Sequence, residues 1–375
     1  MLLKKTILIL ALTVLFSFSV YSADEPTLSA KSAVLINADT LEVYFEKNAH
    51  EQHSMASTTK IMTALLAIES GRLSQTVVCD NIATEGTSIG LKSGYKMTLE
   101  TLVWGMLLES GNDAAKLTAE FISGSEEAFS ALMNIRAKEI GMSATNFVTA
   151  SGLDSEMHYS TAYDMALLGA EAIKNPLFRE ICSAKSKTVD FIEPNVRMTF
   201  SNHNRLLYSC SGVFGIKTGF TKKSGRCLVS ACQRNGVTLV AVTLNAGDDW
   251  NDHIKLYDYG FGEIKTDKIF LHLPDKIKVY GGVKGELALT LEEHSLISYM
   301  GDKAKITQKV YLPSFLYAPI KCGEVIGKLE IYKDGALLFK RDIVSCEEIA
   351  AVQPKPKESF IEKIINKISN IFSIK

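Results

Sequence analysis

Ser57-Thr58-Thr59-Lys60-Ile61-Met62-Thr63-Ala64-Leu65-Leu66-Ala67-Ile68 is a nearly all-apolar run that stops at Gly71. It is long enough for a helix and too hydrophobic for a surface, so it reads as a buried helix with Ser57 in its first turn. Upstream, alternation over residues 33–36 and 41–45, joined by Asn37-Ala38-Asp39-Thr40, predicts a β-hairpin. Downstream the chain is helical: Thr98 and Ser125 look like N-caps, Gly124 and Gly141 like C-terminal stops, and Phe129, Leu132, Met133, Arg136 and Ile140 recur at helical spacing. Residues 213–218, 226–233 and 237–244 read as strands, the last two joined by the hairpin dipeptide Asn235-Gly236. Strands, then helices, then strands again imply an antiparallel sheet built from both ends of one domain and covered by the helices between.

The opening run also carries chemistry. Ser57 and Lys60 stand three residues apart at a helix start, on one face and within reach of each other. Serine is a poor nucleophile without a base, and a lysine in apolar surroundings loses proton affinity and can serve as one. The helix N-terminus offers backbone N–H groups to an oxyanion. The pattern alone is weak, because a chain of this length contains roughly one or two SxxK matches by chance. Ser93-Gly94-Tyr95-Lys96 is such a match, but it sits beside a glycine in a loop-like stretch.

Two further signals follow. In Ser110-Gly111-Asn112, between helical runs, a hydroxyl could pass a proton to a leaving amine and an amide could hold a substrate carbonyl; alone, it reads rather as a plain N-cap for a helix over 113–122. In Lys217-Thr218-Gly219, on an edge strand, a cation and a hydroxyl suit a terminal carboxylate, and the glycine lets substrate backbone approach. The rival Lys223-Ser224-Gly225 lies between two strands and reads as a turn.

SxxK, SxN and K[ST]G in this order are the motif set of penicillin-binding proteins and class A β-lactamases. The likeness extends to Met55-Ala56 ahead of the first motif and to Leu107-Leu108-Glu109 and Asp113-Ala114-Ala115 around the second. It continues in Gly215-Ile216 and Phe220-Thr221 around the third, in Gly152-Leu153-Asp154 and in Tyr159-Ser160-Thr161-Ala162. Over residues 30–262 the chain resembles the D-alanyl-D-alanine carboxypeptidases of the low-molecular-mass penicillin-binding group.

The resemblance implies an α/β (α+β) transpeptidase fold of the penicillin-binding-protein and β-lactamase type. It implies Ser57 as acylated nucleophile, Lys60 as base, Ser110 as proton shuttle and Asn112 as an amide contact. Lys217 and Thr218 would hold the substrate carboxylate, with Gly219 and Phe220 beside them, and the N–H groups of Ser57 and Phe220 would form the oxyanion hole. The reaction implied is removal of the terminal D-alanine from a peptidoglycan stem pentapeptide, without metal or organic cofactor, with β-lactams as covalent inhibitors. Alternatives of the same machinery are a non-catalytic penicillin sensor and an endopeptidase or transpeptidase. A β-lactamase deacylation glutamate has no convincing counterpart: Glu171 followed by Asn175 has the local spacing but falls in a helical run.

Outside this domain the pattern changes. Lys4 and Lys5 precede an apolar stretch over 7–20 ending in small residues near Ser22, which predicts a cleaved signal peptide over 1–22 and an exported protein on the outer face of the cytoplasmic membrane. The apolar run is shorter than the roughly 20 residues a bilayer core requires. Short strand-like runs at 277–280, 286–291, 306–312, 325–332 and 336–344, with a turn at Asp334-Gly335, predict a small all-β domain over 264–348. A Pro/Lys linker over 349–358 leads to Phe360, Ile361, Ile364, Ile365, Ile368, Ile371 and Phe372 at helical spacing, with Lys363, Lys367 and Lys375 among them. That is an amphipathic helix over 359–375 suited to an anionic membrane surface, or to docking on protein.

Charge excludes one partner class. Forty-one basic against forty-two acidic residues leave a net charge of -1, with no long basic cluster outside the chain ends, so nucleic acid is not an expected partner. Seven cysteines are an odd number and no disulfide scaffold; Cys227 and Cys232 lie at an odd offset on one strand and point apart, whereas Cys322 and Cys346 could pair. There is no CxxC or HxxxH, so a zinc site has little support.

Overall fold

The structure is a computed structural model that describes residues 25–80, 85–269, 273–289, 295–299 and 305–353. The predicted signal peptide and the predicted amphipathic tail lie outside these residues.

The chain divides into two units. The first opens with β1 (Ser32–Asn37) and β2 (Val43–Lys47), an antiparallel hairpin with a register shift at Leu35/Ile36. After α1 (Lys60–Glu69) come the short pair β3 (Thr76–Val78) and β4 (Lys96–Thr98), then α2 (Leu99–Leu108), α3 (Asn112–Ser123), α4 (Glu126–Ile140), α5 (Ala162–Ala172) and α6 (Pro176–Ser183). A second small ribbon, β5 (Ser186–Asp190) with β6 (Arg197–Ser201), and the one-turn α7 (Leu206–Ser209) lead into β7 (Val213–Thr221), β8 (Gly225–Arg234) and β9 (Val237–Ala246). The unit ends with α8 (Asp249–Glu263). The five main strands form one sheet in the order β2-β1-β9-β8-β7, so the first two strands meet the last three across the whole helical segment.

Both faces of this sheet are covered, which is why the middle strand β9 is apolar and buried almost throughout rather than alternating. Gly169 on α5 presses against Val229, Val240 and Ile216, while Gly260 on α8 presses against Leu35 and Leu239. Leu239 and Val240 are sequence neighbours pointing to opposite faces, so α5 and α8 lie on opposite sides. A carbon added at Gly260 would stand 2.5 Å from Leu35 Cδ2, so the helix rests on the sheet at the closest distance its backbone permits. Helix ends follow the sequence cues: Thr98 and Ser125 accept from the N–H groups of Thr101 and Ala128, and Gly124 and Gly141 close their helices in the left-handed region. Asn235 and Gly236, both at positive φ, make the β8–β9 hairpin.

Among the described residues, the second unit is all β apart from its connections. β10 (Lys265–Ile269) pairs with β13 (Ser295–Tyr299); β11 (Lys276–Tyr280) lies between β12 (Glu286–Ala288) and β15 (Phe315–Tyr317); β14 (Ile306–Tyr311), β16 (Val325–Lys333) and β17 (Ala336–Val344) form a meander. Ile277, Val279, Leu287, Ile320, Ile326, Leu329, Ile331, Ile343 and Ile349 form its core. Three of these strands, at 265–269, 295–299 and 315–317, are not among the expected ones, and the strand expected over 286–291 ends at Ala288, residues 290 and 291 lying outside the described ones. Each is short or carries polar residues that break the alternation on which a strand is recognised.

Candidate active site

The expected helix start is corrected in one respect. Ala56–Thr59 form a 3₁₀ turn and the α-helix begins at Lys60, so Ser57 stands in a tight turn ahead of the helix rather than in its first α-turn. Ala56 holds φ +47°, an unfavourable conformation for a residue with a side chain. It is kept there by close backbone packing: a carbon added at Gly152 would lie 1.9 Å from the Ala56 carbonyl oxygen, and one added at Gly219 would lie 3.0 Å from the Ser57 and Thr58 nitrogens. The 150s loop and β7 therefore clamp the serine turn from two sides, and both contacts require glycine.

From its position at the head of α1, Lys60 turns back into this clamp. Its amine donates to Ser57 Oγ at 2.9 Å, to Asn112 Oδ1 at 2.6 Å and to the Ser151 carbonyl at 2.6 Å. The side chain is fully buried; desolvation, reinforced by the nearby positive charge of Lys217, pushes its pKa well below the ordinary lysine value. In its neutral form the amine keeps its two hydrogens on Asn112 and the Ser151 carbonyl and turns its lone pair to the Ser57 hydroxyl, which makes it a competent general base.

Ser110 lies at φ +65° and is buried, its residue lining the same cavity as Ser57. The alternative role of Ser110-Gly111-Asn112 as a side-chain cap is not what the structure has. The helix starts at Asn112, its cap position is Gly111, and no side-chain cap bond forms. Asn112 bridges inward, receiving Lys60 on its oxygen and donating through Nδ2 to the Glu85 carbonyl at 2.6 Å. Asp113 braces the loop opposite by accepting from Ser88 Oγ and from the N–H groups of Ile89 and Leu91.

β7 is the edge strand of the sheet. Lys217 points inward, buried, with its amine donating to the Thr218 carbonyl at 3.0 Å, and burial brings its pKa down to about 7. Thr218, Gly219 and Phe220 line the cavity with Ser57 and Ser110, and Phe220 is 65% exposed at its rim. The cavity, of about 320 Å³, is completed by Thr87, His203, Arg205, Arg226, Asp249 and Trp250. The structure thus brings all eight expected residues to one place: seven lie on the cavity or on Lys60, and Lys217 stands behind it.

Ser93-Gly94-Tyr95-Lys96 lies elsewhere, with Lys96 in β4 paired to Glu193, and Lys223-Ser224-Gly225 forms the turn in which Ser224 bonds Thr221. Glu171 is held by Arg136 and Lys174, and Asn175 caps α6. Neither reaches the cavity.

Several participants were not legible as site residues. The Ser151 carbonyl carries no side-chain signature. His158 supports the serine turn by bonding Thr59 Oγ1 through Nε2 at 2.8 Å while Nδ1 accepts from the Val148 N–H, which makes it a neutral ring with a pKa near 4 caused chiefly by burial. Arg205, His203 and the Arg226–Asp249 pair enter from distant segments, and only an arginine or aromatic in a loop hints at them. Among the described residues no group of three or more His, Cys, Asp or Glu is placed to hold a metal ion.

Comparison with known proteins gives a consistent result. Residues 19–248 match the family model described as D-alanyl-D-alanine carboxypeptidase, and residues 264–351 match that of the penicillin-binding protein 5 C-terminal domain. The chain is 34% identical over 336 residues to D-alanyl-D-alanine carboxypeptidase DacF of Bacillus subtilis, covering 85% of this chain and 86% of that one. It is 31% identical over 364 residues to D-alanyl-D-alanine carboxypeptidase DacC of Escherichia coli, covering 89% of each. Among solved structures it is similar to penicillin binding protein 5 from Haemophilus influenzae, with a TM-score of 0.64 and 27% identity over 87% of this chain and 98% of that one. The Streptomyces K15 DD-transpeptidase gives 0.61 and 29% over 64% of this chain and all of that one.

Proposed function

Since the chain belongs to the D-alanyl-D-alanine carboxypeptidase family of serine hydrolases, we propose that Ser57, Lys60 and Ser110 perform its acyl transfer on a peptidoglycan stem peptide ending in D-Ala-D-Ala. The observation that carries this reading is the 2.9 Å bond between Ser57 Oγ and an amine whose pKa burial lowers well below the ordinary lysine value. As Oγ attacks the penultimate D-alanine carbonyl, its proton passes to Lys60 Nζ. The oxyanion is met by the N–H groups of Ser57 and Phe220. On collapse the peptide C–N bond breaks, the leaving D-alanine nitrogen takes a proton through Ser110, and an ester remains on Ser57. Water then attacks that ester with Lys60 again accepting the proton, and Ser57 regains its hydrogen.

Lys217 and Thr218 bind the terminal carboxylate, Gly219 lets the peptide lie against β7, and Asn112 orients both Lys60 and the substrate amide. Penicillin follows the same first step and stays as a slowly released ester, because Glu171 is tied up in ion pairs elsewhere.

Purified protein should release D-alanine from diacetyl-Lys-D-Ala-D-Ala, and penicillin should stop the release while adding one covalent equivalent by mass. The pH profile of kcat/KM should be bell-shaped. Its acid limb reflects protonation of Lys60, whose pKa burial lowers well below the ordinary lysine value; its alkaline limb, beginning near pH 7, reflects loss of the Lys217 charge. Penicillin labelling without D-alanine release would instead indicate a sensor.

The domain limits 30–262 and 264–348 are proposed as the catalytic and accessory domains, supported by the contrast between a helix-covered sheet and an all-β unit. We further propose export and peripheral attachment through residues 359–375, supported by their apolar stripe and lysines. The protein should sediment with anionic phospholipid vesicles, and a chain ending at residue 353 should not; equal sedimentation of the two would exclude the tail as the anchor.

A further inference from the structure

The thiols of the first unit differ sharply. Cys79, Cys182 and Cys227 are fully buried, and burial raises the pKa of Cys182 to about 12 and of Cys227 to about 11, as for inert core thiols. Cys210 is different. It closes α7 and is partly exposed, and the chain folds back at once: the Val213 N–H donates to the Cys210 carbonyl at 3.2 Å and the Gln233 N–H to the Gly212 carbonyl at 2.9 Å. Gly212 takes this turn at φ +87°. The fold-back sets the 210–212 turn over Cys232 of β8, which is wholly buried and whose Sγ lies 3.5 Å from the Ser211 carbonyl.

The two thiols lie against the same Ser211–Gly212 turn, where a carbon added at Gly212 would stand 3.1 Å from Cys232 Sγ, and they are close enough for each to shift the other's titration. Arg234 completes the cluster: Nη2 donates to Cys210 Sγ at 3.6 Å, Nε to the Ser211 carbonyl at 3.2 Å, and Nη1 pairs with Asp258 at 3.4 Å. The Cys232 thiol and the Arg234 guanidinium together lower the Cys210 pKa to about 6, while that of Cys232 is raised by its partner and by burial. One sulfur is partly exposed and activated; the other is covered and lies against the same turn.

We propose that Cys210 and Cys232 are a thiol–disulfide exchange site, with Cys210 as the attacking sulfur, Cys232 as the resolving sulfur and a small-molecule disulfide as the oxidant. The Cys210 thiolate attacks one sulfur of the donor, the donor S–S bond breaks, and one thiolate leaves with the electron pair and takes up a proton. Cys232 then gives up its proton and attacks the Cys210 sulfur, expelling the second donor thiol. Two protein thiols are oxidised to one disulfide and the donor is reduced to two thiols. The new bond ties the turn ahead of β7 to β8, at the opposite end of β7 from Gly219 and Phe220.

Full-length protein, reduced and then exposed to oxidised glutathione, is alkylated and mapped by peptide mass spectrometry. The expected result is a cross-linked Cys210–Cys232 peptide and, relative to the reduced protein, a thermal midpoint higher by roughly 5 °C because a loop of the unfolded chain has been closed. Cys232→Ser should retain a glutathione adduct on Cys210, whereas Cys210→Ser should carry none on Cys232. Both cysteines alkylated in the oxidised wild type, or an adduct on Cys232 in Cys210→Ser, would overturn the site. An unchanged midpoint with the cross-link formed would overturn the stapling role.

Discussion

Replacing Ser57 by alanine is expected to abolish D-alanine release from diacetyl-Lys-D-Ala-D-Ala, a loss of at least about ten-thousandfold, and to remove labelling by fluorescent penicillin with it. No other group at the cavity combines a hydroxyl with a hydrogen-bonded amine, so nothing is placed to take over the attack. The substitution leaves the fold intact, because the only side-chain hydrogen bond Ser57 makes among those described is the one from Lys60, and the amine keeps Asn112 and Ser151 as acceptors. Circular dichroism should therefore be unchanged. Release at the wild-type rate would remove Ser57 from the reaction.

Lys60→Met should lower the rate of penicillin acylation by about a thousandfold or more, because the base is lost while the nucleophile remains. Methionine fills a similar volume, but it leaves the Asn112 oxygen and the Ser151 carbonyl without their donor. A stability loss of about 1–3 kcal/mol per unsatisfied group accompanies it. The two effects separate experimentally: acylation is measured well below the midpoint of the variant, and the loss should persist there. Acylation within about threefold of wild type at such a temperature would show that Lys60 only props up the turn.

Much of this site could be read from residue order, because each motif sits where a periodic pattern changes. Ser57 and Lys60 precede a helix too apolar to face water, and Lys217 opens a triplet on a strand beside a turn. Backbone contributions could not be read in that way. The Ser151 carbonyl serves Lys60 whatever residue stands there, and the shift of Ser57 into a 3₁₀ turn is imposed by Gly152 and Gly219 from far along the chain. Pairwise proximity was hidden too. Cys210 and Cys232 stand twenty-two positions apart, and only the turn at Gly212 brings them together. In the second unit, strands as short as Phe315–Tyr317 carry too few residues to show a period.

The crossing of Gly152 over Ala56 also bears on redesign. Because the obstructing atom is a main-chain oxygen, no repacking of neighbours makes room for a larger residue at 152, and a library varied there would return mostly misfolded protein. Phe220 is exposed and Thr218 partly so, and both line the cavity, so altered peptide or antibiotic preference is best sought at those two positions, with the crossing held constant.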